Sequence, residues 1–455
     1  MKEHTVNFSG WRLARLSSFR IGSAMVEILA TSIWNRVMIS TLGVPATAVG
    51  LLLGLRYFLA PFSVWVGHRS DTIPLWGYYR TSYIWLGRFL TVLCLPFLAL
   101  SLMRLETNSS DPLGWALAVG CTLLYAVGSV LTGSPYLALV RDSAPAKRQG
   151  FSISITETSF IIFIAIAGIG FARWMENYTI NTFWQMVIAC MAVGAFFWIF
   201  GIYGVEKNSV PPHVRADLVA KSERNTDVWG TFRKIWADPR TRLFFLFLSV
   251  STLAAWSQDT ILEPFGAEVL RLPVDDTTRF TSYWQGATVL TLVGGAFAWR
   301  KRPPEKQSGI ARWGLIFMGI GMALIALESI LVDANLIIWA LLIFGGGFGI
   351  YTFGSLSLMA VMASDEDAGA YLGLWTISIL VFKGLGTFLG GAFRDIFLLL
   401  MGLDGSLAYG ITFALAAVGL FIAVVVLSGL DVEGFAAETG RVLDAADVQA
   451  AGIEL

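Results

Sequence analysis

Charged residues are scarce in this 455-residue sequence: they make up 14% of the chain, while hydrophobic residues make up 56%. Soluble domains carry roughly a quarter charged residues, so this composition excludes an ordinary soluble protein. Basic and acidic residues are balanced at 32 each. No excess of positive charge therefore indicates a nucleic-acid partner.

Histidine and cysteine are also scarce, with three of each. The histidines are His4, His68 and His213. The cysteines fall in apolar stretches without the spacing of metal ligands, and we interpret them as small core residues. They are Cys94, Cys121 and Cys190. Without a nucleophile–base pattern, a metal cluster or a cofactor loop, the sequence predicts that the protein is not an enzyme.

The sequence contains many apolar segments that are long enough to cross a membrane. About 20 apolar residues cross a hydrocarbon layer of ~30 Å as a helix, and continuous apolar runs do not form barrel strands. We predict twelve such helices. They fall at about 18–41, 45–67, 81–103, 113–140, 150–172, 182–203, 243–266, 280–299, 309–331, 335–361, 370–394 and 405–430.

The longest connection, 204–242, is rich in charge and separates two groups of six predicted helices. We therefore predict an N-terminal bundle over 1–203, a C-terminal bundle over 243–430 and an acidic tail over 431–455. When residues within four positions of a span end are counted with the adjoining segment, Lys and Arg number 23 on the side of the termini and five on the other side. Because basic residues accumulate in cytoplasmic segments, both termini, the linker and the tail are predicted to be cytoplasmic.

The loop between the second and third predicted spans carries a polar motif. Gly67 and His68 are followed by Asp71 and, after a second glycine, by Arg80. This pattern resembles the loop signature of the major facilitator superfamily. Gly67 permits a tight helix exit, and Asp71 is expected to meet a helix N-terminus or a basic group across the two halves.

A second turn, at the end of the fourth predicted span, also resembles a major facilitator element. Asp142 precedes the basic Arg148 there, and Pro135 lies within the helix before it. Six helices plus six, joined by a cytoplasmic linker, are typical of duplicated transporters. The resemblance implies an all-α membrane protein of twelve transmembrane helices with the major facilitator fold, built from two pseudo-symmetric halves.

Among the charged residues within the predicted spans, where each costs a few kcal/mol or more, we single out eight. The cations are Arg36, Arg56, Arg88 and Lys383, and the anions are Glu27, Glu157, Asp259 and Glu263. Equal numbers of each sign predict internal ion pairing. Glu157 and Arg88 lie shallow in the half of the membrane nearer the termini, where we expect solvation from the cytoplasm.

Arg36, Asp259 and Glu263 are predicted to lie at similar depth in the outer half of the membrane. Asp259 and Glu263 are four residues apart and share a helix face. Since the first and seventh helices of a major facilitator protein face each other, our hypothesis is that Arg36 pairs with one of these carboxylates. Such a pair would form an outer gate or a polar site, or would only fix helix register.

Several strings in both halves together resemble one family, over roughly 15–430. They are Asn35-Arg36-Val37-Met38-Ile39, Leu42-Gly43-Val44-Pro45-Ala46, Gly67-His68-Arg69-Ser70-Asp71-Thr72, Leu262-Glu263-Pro264-Phe265-Gly266 and Tyr371-Leu372-Gly373-Leu374-Trp375. They resemble the PucC/LhaA family, the bacteriochlorophyll-delivery branch of the major facilitator superfamily. Two positions depart from the family pattern: Lys383 stands where arginine is expected, and Glu27 where a small or apolar residue is usual.

This resemblance implies a role in assembling light-harvesting antenna in the inner membrane of a phototrophic bacterium. The implied partners are antenna polypeptides and bacteriochlorophyll. No histidine lies in the predicted hydrocarbon layer, so we expect no permanent histidine-ligated pigment. Transient ligation of the pigment magnesium by Asn35, Gln285, a carboxylate or water is compatible with its preference for hard ligands.

Two other functions stay open at this level. One is a cation-coupled transporter of a small solute, in which the buried carboxylates bind the cation. The other is a scaffold that binds antenna helices on its lipid face and carries nothing. A solute transporter needs a wet cavity with several hydrogen-bonding groups. The few polar residues near the predicted midplane favour an apolar ligand or partner instead.

Overall fold

The computed structural model describes residues 9–145, 148–206, 228–299, 307–362 and 368–438, and these residues are almost entirely helical. The first half contains α1 Gly10–Ile28, α2 Ala46–Phe58, α3 Phe62–Thr72, α4 Thr81–Thr107, α5 Pro112–Asp142, α6 Gln149–Trp174 and α7 Ile180–Ile202. Next come α8 Val228–Ala237, α9 Pro239–Trp256, α10 Leu262–Glu268, α11 Val274–Trp299 and α12 Ser308–Leu331. The last elements are α13 Ile337–Val361, α14 Ala368–Asp395, α15 Gly405–Ser428 and α16 Val432–Glu438. We call the end of the bundle where α1 begins the proximal end, and the opposite end the distal end.

Eight of these helices are long and apolar enough to cross a membrane by length and composition. They are α4, α5, α6, α7, α12, α13, α14 and α15. The other four predicted spans coincide with α1, α2–α3, α9–α10 and α11, which are interrupted or carry several charges. The chain is therefore an integral membrane protein, and the count of twelve spans stays a prediction.

Three predicted spans are irregular. Beyond Ile28, α1 continues as wider π-helical turns over Leu29–Trp34 and Val37–Thr41. The second span is divided between α2 and α3, because Pro61 removes a backbone donor and begins a new helix. The seventh ends at Trp256 and resumes at Leu262. Such interruptions free backbone groups and are tolerated in membranes only where protein or a cavity surrounds them.

The predicted linker contains ordered helix near its end. Within 204–242, α8 runs over Val228–Ala237 and α9 begins at Pro239, where the Asp238 side chain accepts a hydrogen bond from the Arg240 backbone N–H. Residues 207–227 lie outside the described residues. In the acidic tail, α16 covers Val432–Glu438, and 439–455 lie outside the described residues.

The two halves meet along two helix pairs, α2 with α14 and α6 with α11. The backbones of α2 and α14 approach so closely that only glycine fits between them. A Cβ added to Gly391 would lie 2.3 Å from the carbonyl oxygen of Ala46, and one added to Gly54 would lie 2.9 Å from that of Gly384. Small residues at crossing points allow such contact between membrane helices.

Gly391→Ala is expected to destabilise the protein by about 1–3 kcal/mol, because the added methyl overpacks the contact with Ala46. Gly373→Ala in the same helix is the matched control, since nothing lies within 4 Å of a Cβ there. Alanine favours a helix over glycine by ~1 kcal/mol, so the control is expected to be neutral or stabilising. The measurement is thermal unfolding in mild detergent; equal unfolding temperatures for the two variants would contradict the packing argument.

Candidate functional site: a polar cavity between the halves

A cavity of about 150 Å³ lies between the two halves. Residues of the first half and of the second line it together. Its polar lining residues are Glu27, Thr31, Gln258, Asp259, Glu263, Thr281, Gln285 and Lys383, and its apolar ones are Phe160, Ile161, Ile164, Trp256, Trp284 and Phe348. Eight polar residues from both halves therefore meet at this cavity, and the expectation of few polar groups near the midplane stays a prediction.

The interrupted helices place these side chains. Glu27 ends the regular part of α1, immediately before its π turns, and Asp259 lies in the break between α9 and α10. Glu263 follows in the first turn of α10. Single π turns and broken membrane helices often occur at functional sites, since they direct side chains and free backbone groups into a cavity.

Glu27 and Arg56 form an ion pair within the first half. Both guanidinium nitrogens of the Arg56 fork donate to the two carboxylate oxygens of Glu27. The Tyr125 hydroxyl donates to Glu27 at 3.2 Å, and the Arg56 guanidinium lies 4.5 Å from the centre of the Tyr57 ring. A forked pair with a further hydrogen bond offsets much of the cost of burying two charges.

Asp259 and Lys383 face the same cavity without direct contact. The Thr387 hydroxyl donates to Asp259 at 3.4 Å. The Lys383 ammonium lies 3.2 Å from the centre of the Trp256 ring and 4.7 Å from that of Tyr57. Among the described residues no carboxylate oxygen lies within 4.0 Å of Lys383, so aromatic faces are its nearest partners.

Glu263 is 3% exposed and accepts hydrogen bonds only from neutral hydroxyls among the described side chains. Ser32 of the first half lies 2.8 Å from its Oε1 atom, and Thr281 of the second half lies 2.7 Å from the same atom. The two hydroxyl oxygens are 3.1 Å apart. These contacts join the halves beside the cavity.

The predicted pairing of Arg36 with Asp259 or Glu263 is wrong in this conformation. Arg36 is buried, and its guanidinium donates to the carbonyl oxygen of Leu272 at 3.3 Å. Within the part of the chain that the structure describes, no carboxylate oxygen lies within 4.0 Å of it. Similar depth in the membrane is necessary for an ion pair but not sufficient. Asp259 and Glu263 line the cavity, whereas Arg36 is not among its lining residues.

Asn35 and Gln285, the candidate magnesium ligands, lie in different surroundings. Asn35 is fully buried and donates from its amide to the Thr260 carbonyl oxygen at 2.8 Å. Its own amide oxygen has no hydrogen-bond partner among the described residues. Gln285 lines the cavity. Only Gln285 therefore faces space that a ligand can occupy in this conformation.

A distal cluster that the sequence analysis did not single out also joins the halves. Arg394 donates to Glu268 at 2.5 Å and to Asp395 at 2.8 Å. The other oxygen of Asp395 accepts from both the backbone N–H and the hydroxyl of Thr47, each at 2.7 Å. Since Thr47 lies in the first turn of α2, the carboxylate stabilises the N-terminus of that helix. The only sequence signal was a run of charges at a predicted span end.

Glu157 and Arg88, the two charges predicted to lie shallow, are partly buried. Glu157 pairs with Arg20, which lies within the first predicted span, and its side chain is 43% exposed. Arg88 lies between the rings of Phe19 and Trp198, at 4.8 Å and 4.9 Å from their centres. Glu328, which the sequence analysis overlooked, is 3% exposed and accepts from the Leu336 backbone N–H at 2.6 Å.

The loop signature forms a compact ionic cluster at the proximal end. Arg80 is 2% exposed and bridges Asp71 and Asp142, the acids of the two predicted motifs. The motifs therefore bind each other within the first half, rather than across the halves. A Cβ on Gly67 would lie 3.2 Å from Ser134, which explains the glycine. His68 and Arg148 are exposed.

Glu206, just beyond α7, caps the helix that follows the loop signature. Its carboxylate accepts from the backbone N–H groups of Tyr79, Arg80 and Thr81 at 2.7, 3.1 and 2.8 Å. Burial by itself would raise the pKa of Glu206, but the hydrogen bonds from Thr81, Arg80 and Tyr79 outweigh it and hold the pKa below its ordinary value of 4.5.

Glu206→Gln is expected to lower the stability of the protein at neutral pH by about 1–3 kcal/mol, since charged acceptors make the stronger hydrogen bonds. Because the folded-state pKa is lowered, this stability is present above pH 4.5 and is lost as the pH falls through the folded pKa. Unfolding midpoints should therefore differ at pH 7 and converge in acid. A difference that is constant with pH would contradict the role of the charge.

Arg56→Met is expected to cost about 3–5 kcal/mol, because it leaves the Glu27 carboxylate buried without its cation. The double variant with Glu27→Gln is expected to recover much of that loss. Lys383→Met is the control, since Lys383 has no carboxylate within 4.0 Å among the described residues. Thermal unfolding in detergent measures all three, and a loss for Lys383→Met as large as for Arg56→Met would contradict the pairing argument.

Solved structures of transporters share this architecture. A variant of the nucleoside transporter NupG superposes with a TM-score of 0.66 at 12% identity, over 92% of this chain and 100% of that one. A POT family transporter in complex with 5-aminolevulinic acid gives a TM-score of 0.68 at 14% identity, over 92% and 96%. The chain is thus an integral membrane protein with the fold of the major facilitator transporters.

Sequence comparison gives the family. The sequence model of the PUCC protein family matches residues 33–435, and this chain belongs to that family. Protein PucC of Rhodovulum sulfidophilum is 29% identical over 84% of this chain and 85% of its own length. The Bacteriochlorophyll synthase 44.5 kDa chain of Rhodobacter capsulatus is 26% identical over 92% of this chain and 96% of its own length. The family resemblance seen in the sequence is confirmed.

Proposed function

We propose that this protein is an assembly factor of photosynthetic complexes that handles bacteriochlorophyll and delivers it to antenna polypeptides. The observation that carries the proposal is the family match over residues 33–435, together with a relative whose name refers to bacteriochlorophyll synthase. The proposed location is a bacterial inner membrane with both termini in the cytoplasm, which the distribution of basic residues supports. We propose a carrier rather than an enzyme, because the sequence has no pattern of catalytic residues.

The size of the central cavity bears on where pigment binds. Pockets for drug-sized ligands measure about 300–1,000 Å³, and the cavity between the halves measures about 150 Å³. Bacteriochlorophyll, a magnesium macrocycle with a long isoprenoid tail, does not fit there in this conformation. The proposal therefore places the pigment on the outer surface of the bundle.

An aromatic groove at the proximal end supports this placement. It measures about 390 Å³ and lies between the start of α1 and the end of α7. Trp11 and Phe196 are 67% and 60% exposed, and both contact the ring of Phe200, at 6.2 Å and 5.9 Å between ring centres. Arg15 holds the end of α7 by donating to the carbonyl oxygens of Phe200 and Tyr203. Exposed aromatic rings held in this way offer an apolar surface to a ligand with a large ring system.

The test is the absorption spectrum and extracted pigment of the tagged protein, purified in mild detergent from a pigmented host, with identification of co-purifying polypeptides. Near-stoichiometric bacteriochlorophyll with antenna subunits is the expected result. Antenna subunits without pigment would replace delivery by a scaffold role. Absence of both would contradict the proposal.

The groove is tested by Trp11→Ala combined with Phe196→Ala. Two lost aromatic contacts of about 0.5–1.5 kcal/mol each predict roughly a tenfold fall in bound bacteriochlorophyll. Phe297→Ala, at a 65% exposed aromatic of the second half, is the matched control and is expected to retain pigment. Equal pigment recovery from the groove variant and the control would remove the groove from the proposal.

A second candidate, a cation-coupled transporter of a small solute, is favoured by the central cavity itself. Three carboxylates, one ammonium and two side-chain amides line a space large enough for a small polar molecule. These are the hydrogen-bonding groups that such a transporter needs. Uptake assays in proteoliposomes distinguish this candidate from pigment handling.

A further inference from the structure

Three oxygen atoms from both halves form a closed triangle beside the central cavity. Glu263 Oε1 lies 2.8 Å from Ser32 Oγ and 2.7 Å from Thr281 Oγ1, and the two hydroxyl oxygens are 3.1 Å apart. Ser32 and Glu263 are 1% and 3% exposed. The two sides that meet at Glu263 have the usual length of an O–H···O hydrogen bond, and the third side, at 3.1 Å, is slightly longer.

The number of protons in this triangle is one too few if Glu263 is ionised. A hydroxyl carries a single proton, and an ionised carboxylate only accepts. Ser32 and Thr281 can then fill two sides of the triangle, and the contact between their oxygens holds no proton. A proton on Oε1 of Glu263 completes a ring in which each oxygen donates once and accepts once.

The charges around Glu263 also favour its protonated form. Within the described residues, no cation lies within 4.0 Å of the Glu263 carboxyl group. A buried carboxylate without a cation is costly, whereas a buried carboxylic acid with its hydrogen bonds made is not. Two hydroxyl dipoles do not replace a counter-charge.

Other titratable groups surround this site. Asp259 precedes Glu263 by one turn and shares the cavity with Lys383 of α14 and with the Glu27–Arg56 pair. Arg36 lies one turn beyond Ser32, between the two π-helical segments, and donates a hydrogen bond to the Leu272 carbonyl oxygen. On the distal side, Asp275 pairs with Arg279 on α11, and Glu268 pairs with Arg394. Tyr178 and Tyr409 lie beside Arg36 and Glu268 respectively.

We propose that Glu263 is a proton-binding site, and that its proton closes the three-oxygen ring that holds Ser32 of the first half against Glu263 and Thr281 of the second. Loss of this proton to water opens the ring and leaves a carboxylate one turn from Asp259. Since no cation lies within 4.0 Å of this buried carboxylate among the described residues, water must enter to solvate it, and the contact between the halves opens to admit the water. This inference does not depend on the proposed role in pigment handling.

The first measurement is an infrared titration of the purified protein in lipid nanodiscs. A carbonyl-stretch band of a protonated carboxylic acid is expected to weaken as the pH rises, and Glu263→Gln is expected to lack one component of this band. Glu328→Gln is the matched control, because Glu328 is equally buried but makes its hydrogen bond within the second half, from the Leu336 backbone. A titrating band in Glu263→Gln as strong as that of the wild-type protein would overturn the proposal.

The second measurement follows the distance between the halves with spin labels at Ser110 and Asp333, which are exposed at the distal end. The native cysteines are buried and do not compete for the label. Wild-type protein is expected to show one short distance at low pH and a broader, longer distribution at high pH. Glu263→Gln, whose amide still donates to a hydroxyl, is expected to keep the short distance at every pH.

Two further variants keep the proposal falsifiable. Ser32→Ala removes one member of the ring without removing a charge, and is expected to lengthen the low-pH distance. Asp259→Asn is expected to leave the infrared band in place. A pH response that is lost in Asp259→Asn but kept in Glu263→Gln would overturn the assignment. Sodium ions that restore the short distance at high pH would overturn it as well, because the site would then be a sodium site.

Discussion

The cost of placing charge in hydrocarbon governs this structure. Each ionisable group within the bundle needs an oppositely charged partner, a polar cavity or the face of an aromatic ring. The chain uses all three solutions: Glu27 and Arg56 form a forked pair, Asp259 and Glu263 face a shared cavity, and Arg88 lies between two aromatic rings. These solutions decide where helices bend, because side chains that must reach a cavity require interrupted backbones.

The same constraint explains how the halves are joined. Close backbone contact between α2 and α14 supplies dispersion, which is the main attraction between helices in lipid. The distal cluster of Glu268, Arg394, Asp395 and Thr47 adds charged hydrogen bonds at one end of this contact. The small polar cavity lies beside the interface formed in this way.

Sequence reasoning located the charged residues correctly but not their partners. The loop signature was expected to contain an acid at a helix terminus or paired across the halves, and Asp71 instead meets Arg80 within one half. The predicted pairing of Arg36 with Asp259 or Glu263 was wrong. Depth in the membrane fixes only one spatial coordinate of a side chain, whereas an ion pair requires agreement in all three. Glu328 and the Arg394 cluster were missed because a charge near a predicted span end looks solvated until the loops are placed.

The sequence by itself determined that the chain is a membrane protein of the PUCC family with a transporter fold. The length of the apolar segments and the local motifs can be recognised without knowing which residues are in contact. It also placed eight ionisable residues within the predicted spans. Only the tertiary structure decided that Glu263 meets two hydroxyls, that Lys383 lies against Trp256, and that the central cavity is polar and small. Those facts depend on the rotation of each helix about its axis and on the break over residues 257–261. A shift of that break by one residue would turn the following side chains to another direction.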